Sequence, residues 1–214
     1  MISSGARCFQ MIRTIVLYGH PVLREKGAEV RNVTDQLRAL AEDLVETMRD
    51  AEGVGLAAQQ VGEAVQMAVV DVSGSEDPAT FFRLNGQDQG WEELMPLVFL
   101  NPRIEALSPK VKGSEGCLSF PEVRAEIPRP EIIRATLETL DGKTLVIETD
   151  GLLARAIQHE TDHLNGILFI DRMSSASKLS LRKMIRSIQQ EGEEMARTAL
   201  SGPGGHREEL GTRT

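Results

Sequence analysis

The 214-residue chain predicts an α+β fold of antiparallel strands with a buried helix in mid-domain and a further helix at the C-terminal end. Three observations lead there. An amphipathic helix comes first, short β-rich segments bounded by turn residues follow one another without intervening helices, and two helical stretches close the chain.

The first helix is "TDQLRALAEDLVETMRDAEG", where Leu37, Leu40, Ala41, Leu44, Val45, Met48 and Ala51 repeat at the three-four spacing of one buried stripe. Thr34 is placed to cap its start, and Gly53 to end it in a left-handed conformation. Strands are expected at "VQMAVVDV" (65–72), "PLVFLNP" (96–102), "EIIRATLETL" (131–140) and "KTLVIET" (143–149), all rich in β-branched residues. Between the first two lies a polar excursion, 73–94, read as a long loop or hairpin. "LDGKT" joins the last two as a hairpin.

"DGLLARAIQHETDHLNG" is the central helix, with Asp150 as a candidate cap and Asn165-Gly166 as its stop. Leu152, Leu153, Ala156, Ile157 and Leu164 make two of its faces apolar, so its polar residues need partners. "SKLSLRKMIRSIQQEGEEMARTAL" is read as one terminal helix, with Leu179, Leu181, Ile185 and Ile188 facing the body. Residues 1–11 read as a loose extension or mis-called start, 12–200 as a single domain, and 201–214 as a disordered tail.

Composition narrows the function. A net charge of −8 argues against a general nucleic-acid binder, so no stable nucleic-acid complex is expected. No apolar run is long enough to span a bilayer, and the start lacks the pattern of a signal peptide. Only two cysteines occur, Cys8 and Cys117, which is no disulfide framework. A cytoplasmic protein with no membrane partner is expected, whose cysteines are to be read for chemistry.

The chemistry concentrates in the central helix. Residues four apart on a helix differ by about 40° in direction, so His159 and His163 point the same way. Glu160 is rotated by about 100° and reaches the rim of any site they form. In HExxH this arrangement supplies two ligands, with a carboxylate beside them to move a proton. The alternative is a helix whose histidines merely hydrogen-bond in a core. A third ligand is required. A histidine six residues beyond His163 would suit an extended protease pattern, but that position is Phe169. Glu191 or Glu194 could serve from a downstream helix, as in another class of zinc peptidase. Cys117, in "GSEGCLSFPEVR", is the cleaner candidate, because a thiolate binds borderline metals strongly. "GVGLAAQQVG" adds small residues that allow close backbone approach, and amides at Gln59 and Gln60.

"GVGLAAQQ" (53–60), "EGCLS" (115–119) and "QHETDH" (158–163), in that order, resemble the three signature motifs of the peptide deformylases. The likeness runs through "YGHPVLR", "LDGK" and "DGLLA" and covers roughly residues 12–175. It implies the deformylase α+β fold, with antiparallel sheets packed around the central metal-binding helix and a C-terminal helix. It also implies removal of the N-formyl group from the initiator methionine of new polypeptides, with release of formate by attack of metal-activated water. By the same resemblance, Cys117, His159 and His163 bind one divalent metal, natively Fe(II) and replaceable by Zn, Ni or Co. Glu160 is then the general acid/base, Gln60 and the Leu118 N–H stabilise the oxyanion, and Val54, Gly55, Glu115, Gly116, Arg124 and Leu152 meet substrate. Arg129, twelve residues past Cys117, is implied to pair with Asp162, with Arg155 a rival partner.

Two departures stand out. The 73–95 loop is longer than in compact family members, and Arg155 stands where the family often has an apolar residue near the methionine pocket. Two other readings remain at this point, a zinc endopeptidase using Glu191 or Glu194 and a protein that only stores metal. Lys178, Arg182, Lys183 and Arg186 fall on one side of the terminal helix. That is either a solvated face or a basic stripe for transient ribosome contact where nascent formyl-methionyl peptides emerge.

Overall fold

The structure is a computed structural model and describes residues 11–76 and 78–201. The expectations for residues 1–10 and 202–214 lie outside the described residues.

Helix α1 (Asp35–Asp50) starts where Thr34 accepts a hydrogen bond from the Leu37 N–H. It ends one residue earlier than expected: Glu52, not Gly53, takes the left-handed conformation, with φ 52°. The next strands are β1 (Gly55–Ala57), β2 (Met67–Val70), β3 (Phe82–Leu84) and β4 (Gln87–Asp88). After them run β5 (Leu97–Ala106), β6 (Lys110–Cys117), β7 (Phe120–Pro130), β8 (Ile133–Glu138) and β9 (Thr144–Thr149). The order across the main sheet is β1-β2-β5-β8-β9-β3-β4, antiparallel throughout, while β6 and β7 form a separate hairpin.

The excursion at 73–94 holds the short β3–β4 hairpin, which extends the main sheet beyond β9. Its lead-in changes the role of Asp150. That carboxylate does not cap the helix after it; it accepts from the Thr80 and Phe81 N–H groups instead. Asp150 therefore ties the excursion to the start of the central helix.

The central helix is α2 (Gly151–Leu164). Strand periodicity explains its setting. Ala68 and Val70 of β2 face α2 in a core with Phe99, Ile133, Ile147, Leu153 and Ile157. The alternate residues Met67 and Val69 face α1 and pack on Leu40, Leu44 and Met48. On its other side α2 meets the β6–β7 hairpin, so the helix is buried between two sheets.

Three helices complete the order: the short α3 (Phe169–Arg172) and α4 (Ser175–Ser180), then the long α5 (Arg182–Ser201). The single terminal helix read from the sequence is thus broken at Leu181, the C-cap of α4. Ile188 is buried, and Leu181 and Ile185 pack against a further core cluster with Phe120 and Phe169. Leu179, expected to face the body, is 70% exposed, because it lies on α4, before the break.

Candidate active site and metal centre

The site forms where α2 faces the end of the β6–β7 hairpin. Along β7, Val123, Ala125, Ile127 and Arg129 alternate inward while Arg124 points outward. Gly116 pairs with Arg124, but Cys117 pairs with Phe120, so the register shifts just before the cysteine. A bulge of this kind re-aims a side chain, here Cys117 toward the helix. The cysteine stands at the end of a strand and not in a free loop.

The ligand-capable atoms of Cys117, His159 and His163 all lie within 4.8 Å of one another. Cys117 Sγ is 3.3 Å from His163 Nε2. His159 turns Nδ1 toward Glu115 Oε2, at 3.0 Å, which leaves Nε2 as the atom it can offer to a metal. Glu160 is buried, and its Oε2 has no hydrogen-bond partner. The same holds for His163 Nδ1. A buried carboxylate oxygen without a partner is costly unless a cation or a reacting group meets it. One thiolate and two imidazoles suit a borderline metal, and three ligands leave a position open for chemistry. The residues fit a catalytic metal.

Charge at the site follows from packing. Burial raises the Glu160 carboxyl to about 7, against the pull of the His159 and Arg129 cations. Burial would lower His159, but hydrogen bonds with Cys117 and Glu115 outweigh it and push it up to about 10. Burial would likewise raise Glu115, but the bonds from His159 and Arg129 hold it down at about 2. His163, buried beside those cations, is pushed well below its ordinary value.

Glu115 organises the region behind the histidines. Arg129 grips it with two bonds, Nε to Oε1 at 2.6 Å and Nη2 to Oε2 at 2.9 Å. Arg129 Nη1 also donates to Asp162 Oδ2 at 2.7 Å, so the expected Arg129–Asp162 pair is present. Asp162 has a second partner, Arg172, which the sequence did not suggest. Arg155 is not a partner of Asp162; it reaches Glu115 instead, because two helical turns, about 10 Å of rise, separate it from Asp162 on the same face of α2.

A cavity of about 600 Å³ opens over these residues. Val54, Gly55, Gly116, Leu118, Arg124 and Leu152 line it together with Cys117, Gln60, His159 and Glu160. A Cβ on Gly55 would collide with the Glu160 carboxylate, so glycine lets the β1 backbone approach that group. The Ala57 N–H donates to Gln60 Oε1 at 2.9 Å, which turns Nε2 toward Cys117 Sγ, 3.6 Å away, and Ser119 Oγ, 3.3 Å away. Ser119 is fully buried and was missed as a partner of Gln60; its place two residues after Cys117 in "EGCLS" was the available signal. Gln59 points elsewhere, to the Leu164 carbonyl. Glu191 and Glu194 are exposed on α5, where they meet Ser187 and Arg197, and neither belongs to the metal-capable group.

Residues 12–179 match the family model described as polypeptide deformylase. The peptide deformylase of Methylacidiphilum infernorum is 42% identical over 178 residues, covering 83% of this chain and 93% of that protein. The peptide deformylase of Opitutus terrae is 40% identical over 176 residues, with 81% and 91% covered. Among solved structures, the peptide deformylase from Thermus thermophilus superposes with a TM-score of 0.70 at 36% identity, covering 85% of this chain and 99% of that one. That from Plasmodium falciparum gives 0.73 at 30% identity, with 84% and 97% covered.

Proposed function

The chain belongs to the polypeptide deformylase family, and we propose from this premise a role for each residue of its site. The family's activity is metal-dependent removal of the N-formyl group from nascent polypeptides, and the chain is an enzyme of that kind. Cys117, His159 and His163 are the ligands, and Glu160 is the general acid/base. The observation that carries this is the convergence of three ligand atoms within 4.8 Å beside a buried, unpartnered Glu160 oxygen.

A divalent ion held by Cys117, His159 and His163 would supply Lewis acidity, toward the formyl carbonyl and toward water as the nucleophile. Iron(II) is the native ion in this reading, with Zn, Ni or Co able to replace it. Glu160 takes the proton from the attacking water and passes it to the amine nitrogen as the C–N bond breaks. Gln60, its amide turned by Ala57, and the Leu118 N–H donate to the oxygen on which negative charge develops. Val54 and Leu152 offer apolar wall to the methionine side chain, and Gly55, Gly116 and Arg124 border the peptide. Glu115 contributes from behind, as the carboxylate that orients His159.

The substrates are formyl-methionyl nascent chains, met in the cytoplasm, and the exposed residues Lys178, Arg182, Lys183 and Arg186 make a transient ribosome contact. No helix among the described residues is long and apolar enough to cross a membrane. The test is formate release from formyl-Met-Ala-Ser by anaerobically purified protein, with metal analysis of the same sample. One metal per chain, lost together with activity in Cys117→Ala, is the expected result. A Cys117→Ala protein that keeps full activity would overturn the ligand assignment.

A further inference from the structure

We propose that Arg155 is a positioning residue for the metal ligands: it clamps the helix carrying His159 and His163 to the hairpin carrying Cys117. The proposal rests on the ligand assignment above.

The three ligands come from two elements, so their separation depends on how the β6–β7 hairpin sits against α2. Arg155 lies four residues before His159, on the same face of the helix. Its guanidinium crosses to the hairpin and bonds both strands. Nη2 donates to the Val111 carbonyl of β6 at 3.3 Å, and Nη1 to the Ile127 carbonyl of β7 at 2.9 Å. Nη1 also donates to Glu115 Oε1 at 2.7 Å.

The hairpin is shaped to admit this group. Gly113 pairs with Ile127, and a Cβ on it would lie 2.6 Å from Arg155 Nη2 and 2.7 Å from Cζ. Glycine at that point lets the guanidinium come this close to the strand's backbone. The Arg155 side chain is 15% exposed and sits at the cavity wall, yet both of its terminal nitrogens donate to the protein.

Glu115 makes the clamp felt at the metal ligands. Arg129 holds both of its oxygens from β7, and Arg155 holds Oε1 from the helix. The carboxylate is thereby fixed between two planar cations, with Oε2 aimed at His159 Nδ1. Without Arg155, Glu115 keeps Arg129 but can tilt about it, and the hairpin loses two bonds to the helix, made two helical turns before Asp162. A lysine could satisfy one acceptor but not the fork, so it restores part of the effect.

The experiment compares wild type, Arg155→Lys and Arg155→Met, the last keeping an unbranched stem against the cavity. Each is loaded with Co(II), and its d–d and sulfur-to-cobalt absorption is recorded. Metal release into excess chelator and turnover of formyl-Met-Ala-Ser follow. Arg155→Met should bind metal about 10–100-fold more weakly, with an altered d–d spectrum and a fall in kcat larger than any rise in KM. Arg155→Lys should fall between. Wild-type spectrum and release rate in Arg155→Met would overturn the clamp; if that variant does not fold, the same result in Arg155→Lys would do so. Wild-type protein that fails to take up one Co(II) would overturn the ligand assignment itself, which separates the two failures.

Discussion

Arg129 and Asp162 are joined at 2.7 Å between β7 and α2, both side chains under one tenth exposed. A fully buried arginine is tolerable only because two carboxylates meet it, Asp162 on one side and Glu115 on the other. Together with Arg155, two turns earlier on α2, it ties the hairpin to the helix that carries His159 and His163.

Arg129→Met should therefore cost stability. Removing one partner of a buried ion pair typically costs about 3–5 kcal/mol, because the other is left uncompensated. Here Asp162 retains Arg172 and Glu115 retains Arg155, which places the loss at about 3 kcal/mol, the lower end of that range. Urea denaturation of metal-free protein measures it. A loss below about 1 kcal/mol, the size of an exposed pair, would mean that the neighbouring arginines already satisfy both carboxylates.

Glu160→Gln preserves the volume of the side chain and removes its proton-carrying function without touching a ligand. Metal content should stay at the wild-type level while kcat falls by about 10²–10⁴-fold. Turnover near wild type would show that another group handles the proton.

The acidity of Glu160 gives a pH signature in both stability and rate. Its folded carboxyl stands at about 7, raised by burial from 4.5, so the folded state binds the proton more tightly than the unfolded chain. In metal-free protein this group costs nothing at low pH, and the cost grows as pH rises from 4.5 to 7. Above that, Glu160→Gln should be more stable than wild type by up to about 3 kcal/mol, a difference that vanishes near pH ~4. A bound cation favours the carboxylate, so the acid limb of kcat/KM should lie at or below about pH 7. Equal unfolding midpoints for the two proteins at about pH 8 would contradict the burial argument.

The parts of the site that were legible in the sequence are those set by local geometry. His159, Glu160 and His163 share one helix, and helical spacing alone decides where they point. Cys117 was legible as a candidate ligand but not as a strand end, because the polar, glycine-containing segment "KVKGSEGC" lacks the apolar alternation of a half-buried strand. Pairing with β7 makes it a strand, and that is a non-local fact. The same holds for Asp150, whose role as a helix cap was reasonable locally but yields to the Thr80 and Phe81 amides from the excursion. Arg155 shows the limit most clearly. Its partners at Val111, Glu115 and Ile127 lie 28 to 44 residues away, and no spacing rule connects them.

The break at Leu181 sharpens the expectation for the basic residues of the C-terminal region. Arg182, Lys183 and Arg186 stand on the first turns of α5, while Lys178 belongs to α4. All four are exposed, and Ile185 and Ile188 between them hold α5 against the body. Three cations on one rigid helix present a fixed array, whereas Lys178 is carried by a separate short helix that packs with it only locally. If this face meets ribosomal RNA, binding should fall steeply with added salt as phosphate counterions are released. Changing Arg182, Lys183 and Arg186 together to glutamate should abolish co-sedimentation with ribosomes, and Lys178→Glu alone should weaken it only slightly. Turnover of free formyl-Met-Ala-Ser should stay at the wild-type level in both, because none of these residues lines the cavity. Co-sedimentation of the triple variant equal to wild type would remove the basic face from consideration and leave it as a solvated surface.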